Sequence, residues 1–407
     1  MKNSSGEEQE ILMNEQDFLK EAASIFPYLQ EMRRGFHHHP ELGDHEKWTS
    51  ERIAQELTSM GIEVSRPVGT AVVGLLQGAL PGRVAALRAD MDALPITEHT
   101  GLPFSSEISG VMHACGHDLH ITAALGAARQ LAAHRDALPG SVKLFFQPNE
   151  EGTGGAERMI QAGCMEDPHV DVVFGGHVNP ELPVGTVGIR YGSAYAASNP
   201  FHITLTGAST HGAQPDAGHD PIVCAAQIIS AAQTLVSRRT APTDAAVVTF
   251  GSIHAGTAGN IIPGTATLTG IIRTLGPEAR RRTTKEFKTL VSGIAAAMGI
   301  SAEVTVETSY PGVVNRDAPT DLIRATAERM LGADHVRLIA QPTMGTEDFG
   351  YFADAATGSF VQIGVAAGDT PAAPLHSDLF TPDEQALPVA AALYASAIWN
   401  FLHTGLA

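Results

Sequence analysis

His113-Ala114-Cys115-Gly116-His117-Asp118-Leu119-His120 places one thiol, three imidazoles and a carboxylate within eight residues. Cysteine is otherwise scarce, with only Cys115, Cys164 and Cys224 in 407 residues. Thiolate sulfur and neutral imidazole nitrogen are the donors that borderline and soft divalent ions prefer. Apolar residues then recur at helical spacing: Ile121, Ala124, Leu125, Ala128 and Leu131. The spacing predicts a loop that carries Cys115 and His117 into a helix, with Asp118 as its cap. Taken alone, a Cys-x-His is equally compatible with a buried structural cysteine beside surface histidines, so its reading depends on the rest of the chain.

On the amino-terminal side, residues 1–13 read as a loose polar tail, followed by a helix over about 14–36 and another over 45–60 that ends at Gly61. The triplet His37-His38-His39 lies between them and reads as part of the fold rather than as a set of ligands. Strands follow at 62–65, 71–77 and 83–89. The last runs into Arg88-Ala89-Asp90-Met91-Asp92-Ala93-Leu94-Pro95, where two carboxylates leave a strand end. Beyond the Cys115 helix, a strand over 141–147 delivers Asn149-Glu150-Glu151, and one over 170–176 ends in Gly175-Gly176-His177. An isolated Glu-Glu is usually a solvated turn. Repeated delivery of Asp, Glu and His by successive strand ends fits the edge at which open α/β sheets bind ligands. The glycines at 152–155 do not fit the dinucleotide-loop spacing, and the acidic pair beside them would repel a pyrophosphate. Alternating strands and helices from 62 to 177 indicate a mostly parallel α/β sheet.

The pattern then changes to strand-helix-strand-strand-helix-strand: 201–206, 220–237, 246–254, 265–274, 277–298 and 302–307. This order predicts an inserted α/β sandwich with an antiparallel sheet. The expected division is 1–193 and 311–407 for a discontinuous catalytic domain, with 194–310 as the inserted lid. Two domains also suit a chain of this length. Lys and Arg number 26 against 44 Asp and Glu, a formal net charge of −18, which argues against nucleic acid and anionic membranes as partners. Three cysteines make no disulfide framework. Residues 1–10 do not resemble a signal peptide, and no apolar run reaches the roughly 20 residues of a membrane span. The expectation is a soluble cytoplasmic protein.

Together these motifs resemble the M20 metallopeptidases, in the amidohydrolase branch of hippurate, auxin-conjugate and N-acyl-amino-acid hydrolases. The resemblance rests on Arg88–Pro95, His113–Asp118, Asn149–Glu151, Gly176-His177, Ser209-Thr210-His211, Gly259-Asn260, Gly345–Asp348 and Leu375-His376-Ser377. It implies a metal set of Cys115, His117, Glu151, His177 and His376, with the cysteine replacing a bridging aspartate and Asp90 standing where many relatives have a ligating histidine. Five ligands are too many for one tetrahedral zinc and suit two ions sharing a bridge. A thiolate favours Zn, while the resemblance also allows Mn, Co or Ni. It further implies Glu150 as general base, Asp92 as the group that orients a ligand, His211 as a donor reaching a partner subunit, and dimerisation through the lid. Asn260 and Arg273 are candidates to hold a substrate carboxylate. His113, Asp118 and His120 are left with supporting roles. The function so implied is metal-dependent hydrolysis of N-acyl amino acids. The competing readings are a dipeptidase on the same dinuclear site, a non-catalytic metal-dependent binding protein, and a nucleotide-binding oxidoreductase.

Overall fold

A computed structural model describes residues 13–368 and 370–406, which leaves residues 1–12 of the expected tail outside. The chain forms two compact units. Among the described residues, the first comprises those up to Ile189, Arg316–Ile339 and those from Asp354 onward, and the second comprises Arg190–Asn315 and Ala340–Ala353.

In chain order the elements are α1 (Glu15–Ser24), α2 (Phe26–His38), α3 (Lys47–Ser59), β1 (Glu63–Ser65), β2 (Val72–Gln77), β3 (Leu80–Asp90), α4 (His117–Ala133), β4 (Pro139–Gln147), α5 (Ala156–Gln161), β5 (Val172–Pro183) and β6 (Val187–Ile189). They continue with β7 (Gly192–Ser193), β8 (Ala197–Thr206), β9 (Thr210–His211), α6 (Pro221–Thr234), β10 (Ala246–Ala255), β11 (Ile261–Ile262), β12 (Thr265–Thr274), α7 (Pro277–Ala297), β13 (Ser301–Val306) and β14 (Val314–Asn315). The last are α8 (Asp317–Leu331), β15 (Val336–Leu338), α9 (Phe349–Ala355), β16 (Thr357–Ala366) and α10 (Ala386–Thr404).

The first unit is built on an eight-stranded sheet in the order β1-β2-β4-β3-β5-β16-β6-β15. The β4/β3, β3/β5, β5/β16 and β6/β15 pairs are parallel, so the sheet is mostly parallel as expected. Val142, Leu144, Phe145 and Phe146 of β4 are fully buried. Such continuous apolar runs belong to strands covered on both faces. The helix expected over 14–36 is two helices. Pro27 sits in the first turn of α2; it lacks the N–H that a continuous helix would need there, and its ring would clash with the carbonyl four residues back.

α10 is long and apolar enough to pass as a membrane span by length and composition, which corrects the reading that no such run exists. However, 83% of its apolar window is buried within the protein, and it packs against α4, α1 and α8 as a core helix.

The second unit holds a four-stranded antiparallel sheet, β10-β12-β8-β13. Phe201, Ile203 and Leu205 of β8 and Leu268 and Ile272 of β12 form its core with Ile228 of α6 and Phe287 and Val291 of α7. Period-two alternation on the strands and the apolar stripes of the two helices bring these residues to one face. This is the antiparallel α/β sandwich expected from the sequence.

Candidate metal centre

The cluster lies entirely within the first unit. Gly116, at φ +88, turns the chain into α4 in a conformation that side-chain-bearing residues rarely adopt. The turn leaves Cys115 on the loop and makes His117 the first residue of the helix. Asp118 does not cap α4, as the sequence suggested. It lies in the first turn, fully buried, where Arg33 Nε and His37 Nδ1 each approach one of its oxygens at 2.9 Å. Arg33 and His37 hold its carboxyl low against the opposing effect of burial.

The donors converge as two trios that share one sulfur. Ligand atoms of Cys115, His117 and His177 lie within 4.8 Å of one another, and so do those of Cys115, Glu151 and His376. Cys115 Sγ is 3.2 Å from His177 Nε2, and His376 Nε2 is 2.9 Å from Glu151 Oε1. Each buried imidazole is fixed through its other nitrogen. His177 Nδ1 donates to the Val178 carbonyl at 2.8 Å, and His117 Nδ1 donates to the Asp92 carbonyl at 2.8 Å. His117 Nε2 is buried with no hydrogen-bond partner among the described residues. Metal-binding histidines are oriented by this kind of anchoring.

The electrostatics suit a cation. Burial pushes the Cys115 thiol well above its usual range, and Glu151, Glu150 and Asp90 push it further. Burial opposes charge on His117, but Asp90, Asp92 and Glu151 outweigh it and raise the ring to about 10. Burial would raise Glu151, yet His376 and His117 bring it down to about 2. A thiol among carboxylates beside a bare buried imidazole nitrogen is a donor set that a pair of divalent ions would fit, since ligation demands the thiolate and neutral imidazole.

Asp92 binds both amides that follow Asn149: Glu150 N donates to Oδ1 and Glu151 N to Oδ2, each at 3.0 Å. Adjacent side chains of a strand point to opposite faces, but these two glutamates lie beyond the end of β4. A donor atom from each of Glu150, Glu151 and His117 falls within one 4.8 Å cluster. β4 ends at Gln147, and Asn149 turns the chain at φ +56, so strand alternation no longer applies. His177 also departs from expectation, because it lies inside β5, which continues to Pro183. Asp90 ends β3, is bound by Arg88, and lies 2.6 Å from His120 Nδ1. His120 Nε2 in turn accepts from Val178 N at 3.0 Å. The sequence motifs contained Arg88 and His120 but gave no sign of this relay.

In the second unit, His211 and Asn260 are neighbours. Gly212 N donates to the Asn260 carbonyl at 2.8 Å, and His211 pairs with Ile261 across the β9/β11 ribbon. This ribbon extends beyond the Thr206/Thr265 end of the main sheet. Arg273 sits near the other end of β12, opposite Ser198 and Val247. Eight residue steps, about 27 Å of strand, separate it from Thr265. Its Nη1 is buried with no hydrogen-bond partner among the described residues.

Comparison with known proteins adds an independent line. The model of peptidase family M20/M25/M40 matches residues 86–400. The chain is 39% identical over 369 residues to the N-acetyl-L-cysteine deacetylase of Bacillus subtilis, covering 90% of this chain and 86% of that one. It is 38% identical over 377 residues to thermostable carboxypeptidase 1 of Saccharolobus solfataricus, covering 91% and 94%. Among solved structures, a dinuclear metal-binding peptidase of the M20 family from Bacillus subtilis matches with a TM-score of 0.82 at 35% identity, over 94% of this chain and 99% of that one.

Proposed function

Because this chain belongs to peptidase family M20/M25/M40, we propose that it hydrolyses the amide bond of N-acyl amino acids, releasing a carboxylic acid and a free amino acid. The protein is a hydrolase, and family membership supports metal-dependent amide hydrolysis in general, which leaves the non-catalytic and oxidoreductase readings without support. The observation that carries the finer reading is the shared sulfur: Cys115 belongs to both donor trios, as a group bridging two ions would.

In this reading Cys115, His117 and His177 would hold one ion and Cys115, Glu151 and His376 would hold the other, with the Cys115 sulfur common to both sets. When bound, the ions supply Lewis acidity toward the amide carbonyl and toward water. Glu150 takes a proton from the attacking water and returns it to the departing amine nitrogen. Asp92 keeps Glu150 in place through its amide and turns His117 toward the site through its own carbonyl. Arg273 holds the free α-carboxylate of the amino-acid half, which suits its unpartnered Nη1. His211 and Asn260 act on a second copy of the chain.

A homodimer through the second unit is part of the proposal. β10 is an edge strand, and Ile222, Val223, Ile253 and Ile261 are large apolar side chains left 43–49% exposed. Uncovered edges and apolar patches invite pairing. A reducing, cytoplasmic setting fits the three free cysteines. Dipeptide cleavage is the second reading, favoured by the similarity to a carboxypeptidase.

Purified protein incubated with a panel of N-acyl amino acids, their α-amides and dipeptides, with products read by mass spectrometry, tests the proposal. Release of free amino acid from acyl-amino acids, lost on prolonged chelation and restored by Zn or Mn (or by Co or Ni), is expected. Full activity in protein shown by elemental analysis to be metal-free would overturn it.

A further inference from the structure

Three successive amides in the turn that carries the glutamates are bound by buried carboxylates. Glu150 N and Glu151 N use Asp92. Asn149 N uses Glu46, donating to Oε1 at 3.0 Å. Glu46 has no exposed surface, and its Oε2 accepts from Thr70 Oγ1 at 2.6 Å. It lies 103 positions before Asn149, at the entry to α3, yet its side chain does not cap that helix. Glu41 has that role instead, accepting from Trp48 N at 3.1 Å and Thr49 N at 2.9 Å. A fully buried carboxylate that neither caps its helix nor meets a cationic side chain among the described residues is costly unless its hydrogen bonds do something else.

Asn149 explains what Glu46 is for. Its φ of +56 is a left-handed conformation that is uncommon for residues with a side chain, although Asn adopts it more readily than most. The surroundings hold it there from several sides. Asn149 Nδ2 donates to Asp44 Oδ2 at 2.7 Å and to Thr153 Oγ1 at 2.9 Å. Its Oδ1 occupies space left by two missing side chains, since a Cβ on Gly43 would lie 2.2 Å from it and one on Gly152 2.1 Å. Arg158 ties Asp44 to the same loop, reaching Asp44 Oδ1 at 2.7 Å and the Gly154 carbonyl at 2.9 Å. The left-handed turn is what brings Glu150 and Glu151 to the same side as His117 instead of sending them to opposite faces.

We propose that Glu46 is a positioning residue for the reaction, clamping the Asn149 amide so that the left-handed turn holds both glutamate carboxylates toward the metal centre. This deepens the reading given above and rests on it for the roles of Glu150 and Glu151. Without the Glu46 carboxylate the turn loses one of its three amide anchors, and both glutamates lose alignment together. The loss falls on turnover and on retention of an ion at Glu151, with substrate affinity little changed.

The test compares Glu46→Ala, Glu46→Gln and Thr70→Val with a control on the same loop, Glu41→Ala. Hydrogen exchange by mass spectrometry across residues 147–155, metal content, and kcat and KM for an acyl-amino acid are read for each. Glu46→Ala should speed exchange in that peptide, lower metal content, and cut kcat about ten- to a hundredfold with KM little changed. Glu46→Gln keeps an acceptor for Asn149 N and should retain most protection and turnover. Thr70→Val should fall between, and Glu41→Ala should lower thermal stability while leaving exchange at 147–155 and kcat as they were. If Glu46→Ala does not fold, the graded pair Glu46→Gln and Thr70→Val decides. Exchange and kcat unchanged in the folded Glu46 and Thr70 variants, or changed equally by Glu41→Ala, would overturn the proposal. A wild-type protein that cleaves no acyl-amino acid would overturn the functional reading instead, and the exchange comparison would still report on the clamp.

Discussion

His117 Nδ1 lies 2.8 Å from the backbone carbonyl oxygen of Asp92 and 3.4 Å from its carboxylate. One residue therefore sets the tautomer of a metal-ligand candidate through its main chain and anchors two neighbouring glutamates through its side chain.

Asp92→Ala should leave the carbonyl contact to His117 but release the amides of Glu150 and Glu151. Metal affinity is expected to fall about ten- to a hundredfold, the usual range for removing a group that orients ligands. Asp92→Asn can still accept from one of the two amides and should lose less. Competition with a chromogenic chelator measures both variants, and an Asp92→Ala affinity equal to wild type would mean that the turn is held without Asp92.

Much of this was legible in the sequence, because ligands delivered by different strands produce separate short motifs that keep their order. Asp90 at the end of β3 and Glu150 just beyond β4 could be read from the apolar runs before them. What was not legible depended on backbone sign and on distant partners. No neighbouring residue fixes Asn149 as left-handed, so the approach of both glutamates to His117 was not legible. Asp118 looked like a cap because caps are read from neighbouring positions, whereas its partners Arg33 and His37 are 85 and 81 positions away. Glu46 left no signal, since its function is to bind an amide 103 positions further on.

The buried cluster around Asp118 makes a statement about acid stability. Burial would raise Glu98, but His37 and Ser106 bring its carboxyl down to about 2. A carboxyl lowered on folding adds stability above its unfolded value, and that stability is lost as pH falls through the folded one. The window runs from about pH 4.5 down to about 2. His37 is raised by Asp118 and Glu98 against the effect of burial. Its contribution has the opposite sign: it is present at low pH and lost as pH rises through its folded value. Glu98→Gln should therefore flatten the acid limb of stability below pH 4.5 by a few kcal/mol at most, roughly 1.4 per pH unit. Thermal melts from pH 2 to pH 6 would show it, and parallel acid limbs for variant and wild type would assign the acid sensitivity elsewhere.

Arg273 and the His211–Asn260 pair stand toward opposite ends of β12, with the about 27 Å of strand from Arg273 to Thr265 between them. A single acyl-amino acid cannot bridge that length, so both can serve one substrate only if they come from different copies of the chain. Mixing His211→Ala with Glu150→Gln subunits should then restore some hydrolysis, because a mixed dimer has one site with its own Glu150 and its partner's intact histidine. Donors of this kind are typically worth about a hundred- to a thousandfold in rate. No recovery with mixed dimers confirmed by native mass spectrometry would place His211 in its own subunit's site or outside the chemistry. Arg273→Ala should raise KM for acyl-amino acids far more than for their α-amides.

Glu150 and Glu151 offer the sharpest separation of roles, because the turn brings both carboxylates to one place and proximity alone does not distinguish them. Their surroundings do. Glu151 is paired with His376 and held at about 2, so it is the carboxylate already committed to a cationic partner and suited to ligation. In the proposed mechanism Glu150, 7% exposed, acts as base, a role that typically contributes about a hundred- to ten-thousandfold without holding an ion. Glu150→Gln keeps shape and removes the basic oxygen. It should retain metal, fold and substrate affinity while turnover falls by about two to four orders of magnitude. Glu151→Gln should lose metal first, and excess ion should return part of the activity. Metal stoichiometry measured beside kcat for both variants decides. A Glu150→Gln protein that loses an ion, together with a Glu151→Gln protein that keeps its metal and is inactive, would reverse the two roles. Retention of both metal and turnover in both variants would remove the dinuclear hydrolase reading altogether.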